Sequence, residues 1–179
     1  MKKQLKETIE ADVKRYYDSV PFFKPLQVNY LIAYRKASFY SSKTIQGIFW
    51  RIKLKYLSEK SGIQIPTKAK IGKGFYIGHF GTIVINPEAV IGENVNIATG
   101  VTIGKTNRGA KKGVPVIGNR VWIGTNAVIV GKITIGDDVL IAPGAYVNVD
   151  VPSHSIVIGN PAQIHYRENA TEGYINHTV

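Results

Sequence analysis

The chain has 179 residues, 44% of them hydrophobic, and a formal net charge of +11. This length suits one domain with a small extension, and the absence of cysteine excludes disulfides, thiolate metal sites and a cysteine nucleophile. The charged start MKKQLKETIEADVKRYYDSV lacks the apolar core of a signal peptide, and no apolar run approaches the ~18 residues of a membrane span, so a cytoplasmic protein is expected.

Residues 1–62 are expected to form a helical region. Residues 2–17 are rich in Lys, Glu and Gln without Gly or Pro, and Pro21 and Pro25 break that pattern. LQVNYLIAYRKASFY and TIQGIFWRIKLKYLSEKSG then space apolar residues as helices do, and Gly62 is placed to stop the last helix. This region holds 13 Lys/Arg against 5 Asp/Glu, whereas the rest of the chain holds 10 against 7. Such a basic segment suits phosphates, acidic sugars or a membrane surface, or it is simply a solvated face. IFWRIKLKYL interleaves aromatic and basic residues. That fits a helix lying in a membrane interface or one packed on its neighbours with snorkelling lysines. Packing is the preferred expectation, and peripheral membrane association through the basic N-terminal helices is the second.

From residue 69 the rhythm changes. Aliphatic residues fall at Ile71, Ile77, Ile83, Ile91, Ile97, Ile103, Ile117, Ile123, Ile129, Ile135, Ile141 and Val147, six apart except for one gap of eight and one of fourteen. A small or apolar residue often precedes by two, and glycine often follows, as at Gly72, Gly92, Gly118 and Gly136. This hexapeptide repeat is the signature of a parallel β-helix, in which each repeat gives one short strand and one turn. The fold class expected is mainly β: a β-helix over 63–151 of four three-sided coils, a loop over 105–114 projecting from it, and a capping tail over 152–179.

Threefold counting places His79, Thr99, Thr125 and Pro143 on one corner, Lys73, Glu93, Asn119 and Asp137 on a second, and Ile85, Lys105, Gly131 and Val149 on the third. The second corner reads as solvated. The first stacks small side chains above a single imidazole, which suits a narrow groove with something thin lying in it. His79 is therefore the candidate catalytic residue, whereas His154, His165 and His177 fall in the tail. No metal site is expected, because zinc needs three or four ligands and the coils supply one histidine. Nucleic acid is not an expected partner, because basic and aromatic residues do not interleave on any strand face.

GFYIGHFGTIVINPEAVIGENVNIATGVTIG, followed by a loop and VIGNRVWIGTNAVIVGKITIGDDVLIAPGAYVNVDVPSHSIVIGNPAQI, resembles the hexapeptide acyltransferases. The resemblance is to the serine acetyltransferase branch, closest to its capsule and exopolysaccharide O-acetyltransferases, and extends more weakly into YLIAYRKASFY. It implies a left-handed β-helix, a homotrimer, and acetyl-CoA as donor in the groove between neighbouring prisms. It places His79 on the branch's catalytic histidine. Gly124, Thr125, Ala142 and Pro143 fall along the pantetheine arm, Asn148 and Gln163 near the nucleotide end, and Asp18 on an acceptor-binding aspartate. Two departures stand out. Val114 occupies the place of a loop histidine in the serine enzymes, and Gln64 that of an aspartate that supports the catalytic imidazole. These departures motivate a saccharide hydroxyl as the expected acceptor, in polysaccharide biosynthesis.

A hydroxyl becomes a competent nucleophile when a base removes its proton as it attacks. The expected reaction is direct acetyl transfer with His79 as general base, without an acyl-enzyme. The basic loop residues Lys105 and Arg108 are candidate contacts to CoA phosphates and to the acceptor, or belong to a solvated loop. The alternatives are a serine acetyltransferase feeding cysteine synthesis and a non-catalytic hexapeptide scaffold.

Overall fold

The computed structural model describes residues 2–17 and 24–179. Three helices, α1 (Lys2–Lys14), α2 (Leu26–Phe39) and α3 (Ile45–Ser61), precede a parallel β-helix of three sheets. Thr44 caps α3 by accepting from the Gly47 N–H at 3.1 Å, and Gly62 ends it in the left-handed conformation at φ 76°.

The first sheet stacks Ile63–Gln64, Ile83–Ile85, Thr102–Gly104, Val128–Val130 and Tyr146–Val147. The second stacks Lys70–Ile71, Val90–Ile91, Val116–Ile117 and Thr134–Ile135. The third stacks Tyr76–Ile77, Asn96–Ile97, Val121–Ile123, Val139–Ile141 and Ser155–Ile158, and Gln163–Tyr166 closes it antiparallel. The column thus continues past the expected boundary at 151: residues 155–158 add a rung to the third sheet before the tail begins.

The six-residue period is a packing period. Ile77, Ile83, Ile97, Ile103, Ile123, Ile129 and Ile141 are wholly or almost wholly buried in one core. The glycine column is a steric requirement, because successive coils touch backbone to backbone where it runs. A Cβ on Gly72 would lie 2.5 Å from the Gly92 carbonyl oxygen, and one on Gly92 2.5 Å from that of Gly118.

The helices close the open edge of the first coil with side chains, which saturate backbone groups that would otherwise invite a further strand. Tyr34 Oη donates to the Ala69 carbonyl at 2.7 Å. Arg35 donates to the Ile71 and Gly72 carbonyls, at 2.6 Å each. The Asp12 carboxylate accepts from the Phe75 N–H at 3.0 Å and is gripped by Arg35 through two bonds of 2.7 and 3.1 Å. Arg15 donates to Gly74, and the Tyr16 hydroxyl bridges the N–H and carbonyl of Ile77. The Tyr-Arg segment of α2 is thus an edge seal. Burial pushes the Asp12 carboxyl upward, against the pull of Arg35 and the Phe75 N–H.

From residue 167 the tail runs back along the second corner. On that corner Lys73, Glu93 and Asn119 are exposed, as expected, and Asp137 is half-buried; the tail instead meets the residues just after them, through their left-handed backbone and polar side chains. Asn94, Arg120 and Asp138 have φ of 56°, 49° and 54°. Asp138 accepts from the Ala170 and Thr171 N–H groups and the Thr171 hydroxyl, Asn96 donates to the Tyr174 carbonyl, and Asn94 exchanges two bonds with Val179.

Candidate functional site

The register confirms which residues share the histidine corner. Ile77, Ile97, Ile123 and Ile141 stack in line, so His79, Thr99, Thr125 and Pro143, each two residues further on, follow one another up the corner between the third and first sheets. At ~4.8 Å per coil, His79 and Pro143 stand roughly 14 Å apart along the axis. His79 is exposed and has no hydrogen-bond partner among the described residues. Thr99 and Thr125 are half-buried and Pro143 is exposed. Gly124 keeps the coils close, since a Cβ there would lie 2.6 Å from the Pro143 nitrogen. Beside Ala142 and Pro143 a cavity of about 510 Å³ opens on the third sheet, walled by Trp122, Leu140, Ile156 and Tyr174.

The structure therefore gathers His79, Gly124, Thr125, Ala142 and Pro143 on one corner. Gln163 lies in the antiparallel strand at the far end of the third sheet. Lys105, Arg108 and Asn148 lie elsewhere, on the corner between the first and second sheets. The loop is pinned at its base by reciprocal Thr106–Gly113 backbone bonds of 3.0 and 2.9 Å. Lys105 pairs with Glu88 at 3.1 Å, Lys111 donates to the Asn148 carbonyl at 2.7 Å, and Arg108 is exposed. The whole first sheet separates these residues from His79 within one chain. Asp18 lies outside the described residues.

One residue that the sequence did not single out sits beside the histidine. Gln27, in the first turn of α2, donates through Nε2 to the Gly78 carbonyl at 3.5 Å, and its Oε1 is buried with no hydrogen-bond partner among the described residues. A buried carbonyl that accepts nothing is costly. No motif marks Gln27; the only signal is its contact with the residue before His79.

The family description "Bacterial transferase hexapeptide (six repeats)" matches residues 115–148. The chain belongs to the hexapeptide-repeat transferases. Serine acetyltransferase 4 of Arabidopsis thaliana is 44% identical over 108 residues, which cover 60% of this chain and 30% of that protein. The soybean serine acetyltransferase apoenzyme superposes with a TM-score of 0.76 at 30% identity, covering 90% of this chain and 69% of that one. A serine acetyltransferase solved in complex with CoA superposes with a TM-score of 0.77 at 26% identity, covering 91% of this chain and 70% of that one. The chain spans only part of its curated relatives: 30% of the Arabidopsis protein above and 60% of a Helicobacter pylori serine acetyltransferase.

These relatives overturn the saccharide acceptor and the role in polysaccharide biosynthesis expected from the sequence, and give no support to closeness with capsule enzymes. They are named for serine. The two substitutions behind that expectation are weak reporters. Val114 is half-buried at the base of the pinned loop and Gln64 is exposed on the end rung of the first sheet. Neither hydrogen-bonds to His79 among the described residues of one chain. No helix among the described residues is long and apolar enough to cross a membrane.

Proposed function

We propose that this chain transfers the acetyl group of acetyl-CoA to the hydroxyl of L-serine, with His79 as general base. The observation that carries this reading is an exposed imidazole, without a hydrogen-bond partner among the described residues, at the foot of a corner of small residues, in a chain whose relatives are serine acetyltransferases. The Nε2 or Nδ1 of a neutral imidazole accepts the hydroxyl proton as the oxygen attacks the thioester carbonyl. The tetrahedral intermediate then collapses, the C–S bond breaks, and the imidazolium returns its proton to the departing thiolate. O-acetylserine and free CoA result, and no acyl-enzyme forms.

Thr125, Ala142 and Pro143 line the pantetheine path, because small side chains leave room for a thin chain along the corner. Gln27 would offer its carbonyl to the serine ammonium or hydroxyl once its amide swings out, since Oε1 is buried as the structure stands. The basic loop reaches a His79 corner only on a neighbouring copy, since the first sheet stands between them in one chain. A homotrimer with sites between copies therefore follows from this reading, with Lys105 and Arg108 serving the site next door. Thiol release from acetyl-CoA, measured with and without L-serine, tests it. Serine-dependent release of one CoA per O-acetylserine is expected; release that ignores serine refutes the reading.

A further inference from the structure

Helix α3 has two apolar faces, and only one is covered. Gly47, Leu54, Leu57 and Ser61 are buried, with Leu54 and Leu57 in the common core. On the other side Ile45, Ile48, Phe49, Ile52 and Tyr56 are 85%, 49%, 55%, 66% and 60% exposed. Spaced at 45, 48, 49, 52 and 56, these five positions fall on one side of the helix and form a single stripe about 17 Å long. A contiguous large-residue stripe of this kind marks an interaction surface.

Its borders are cationic. At 100° per residue, Lys53 and Lys60 flank the stripe on one side and Lys55 on the other. Next to it two ammonium groups crowd one indole: Lys36 Nζ and Lys53 Nζ lie 4.2 and 5.1 Å from the Trp50 ring centre. Burial, and after it the neighbouring Lys53, hold the Lys36 ammonium below its ordinary pKa. Between Asp18 and Glu59 the sequence has seven Lys and Arg and not one Asp or Glu. Glu59 itself pairs with Lys55 at 3.7 Å.

That charge pattern decides the occupant. A second copy docked on α3 would bring lysines against lysines, with no free carboxylate from this region to meet them. An anionic lipid surface meets both demands, with acyl chains for the stripe and phosphates for its borders. We propose that α3 lies flat on an anionic membrane, with Ile45, Ile48, Phe49, Ile52 and Tyr56 at the acyl boundary and Lys36, Lys53, Lys55 and Lys60 on headgroup phosphates. The seal on the first coil faces the protein side of the helices, so docking leaves the β-helix untouched.

Flotation of the whole protein with vesicles tests this, using phosphatidylcholine alone and phosphatidylcholine with phosphatidylglycerol. Binding is expected only to the second, and to fall as salt rises. The triple variant Ile48→Gln, Phe49→Gln, Ile52→Gln changes exposed positions only, so it folds; it should lose binding while keeping its molar mass by light scattering. Lys53→Gln, Lys55→Gln, Lys60→Gln should weaken binding by about a hundredfold, at roughly fivefold per charge near an anionic surface. Equal binding to both vesicles, no binding to either, or binding that survives the apolar triple variant overturns the proposal. So does a drop in molar mass in that variant, which would make the stripe a contact between copies.

Discussion

Two corners of the same β-helix each carry a histidine, and they have opposite chemistry. His154 sits where the tail crosses the second corner. Its Nδ1 lies 2.9 Å from the Asp138 carboxylate, which also accepts from the Ala170 N–H and from both the N–H and the hydroxyl of Thr171. His79 stands on the neighbouring corner, exposed and without a partner among the described residues. One corner has satisfied its polar groups and binds the chain to itself. The other is left unsatisfied, and that is where a substrate can gain from binding. A polar cluster that is fully bonded stabilises a fold; a reactive group needs a bond still to make.

The sharpest break in this contrast is His79→Ala. Loss of a general base lowers turnover by about 10²–10⁴-fold. Because the side chain is exposed and makes no hydrogen bond among the described residues, stability should change by no more than about 0.5 kcal/mol. A variant with near-normal thiol release and L-serine would remove His79 from catalysis. A large loss of stability would place it with His154, as a structural residue.

Asp138→Ala tests the other corner and should give the reverse pattern. It strips the acceptor from two backbone N–H groups and a hydroxyl, at a cost of about 2–4 kcal/mol in chemical denaturation, with activity per folded molecule unchanged. The same group sets an acid limit. Burial opposes its charge, but the bonds from Thr171, His154 and Ala170 outweigh that and hold the carboxyl below the usual range. A depressed carboxyl contributes its stability above the unfolded value of about 3.9 and loses it as pH falls through the lower folded value. Wild-type stability should therefore drop below about pH 4 more steeply than that of Asp138→Ala. Parallel acid titrations of the two proteins would contradict this.

The two corners were not equally legible. The rungs were readable because Ile77, Ile97, Ile123 and Ile141 repeat with the period of the packing itself, and that register also brings His79, Thr99, Thr125 and Pro143 into line. Asp138 looked like any residue on a solvated turn, because the strap that buries it comes from residues 32 and 33 positions away with no period of their own. The edge seal was equally hidden: Arg15, Tyr16 and Arg35 reach backbone groups 36 to 61 residues away. The loop shows a different limit. Its place on the corner opposite His79 was readable, but whether it serves a site depends on a neighbouring chain.

Gln27 lies between the two extremes, with one end of its amide bonded and the other free. Gln27→Leu keeps the volume and removes the free carbonyl. If Oε1 receives serine, kcat/KM for serine should fall about tenfold, the worth of one hydrogen bond to a charged group. The Michaelis constant for acetyl-CoA should stay put. An equal rise in both constants would make Gln27 an edge seal for Gly78 and nothing more.

The smallest effect expected is at His154. His154→Asn suits the backbone there, since φ is 58° and asparagine tolerates the left-handed region well. The imidazole is 43% exposed, so its bond to Asp138 is partly screened by water. Its loss should cost about 0.2–1 kcal/mol, well below Asp138→Ala. In the double variant the His154 change should add almost nothing, because its partner is already gone. Full additivity would mean that His154 contributes through its turn and not through Asp138. The polar corner would then be held by the tail's backbone alone.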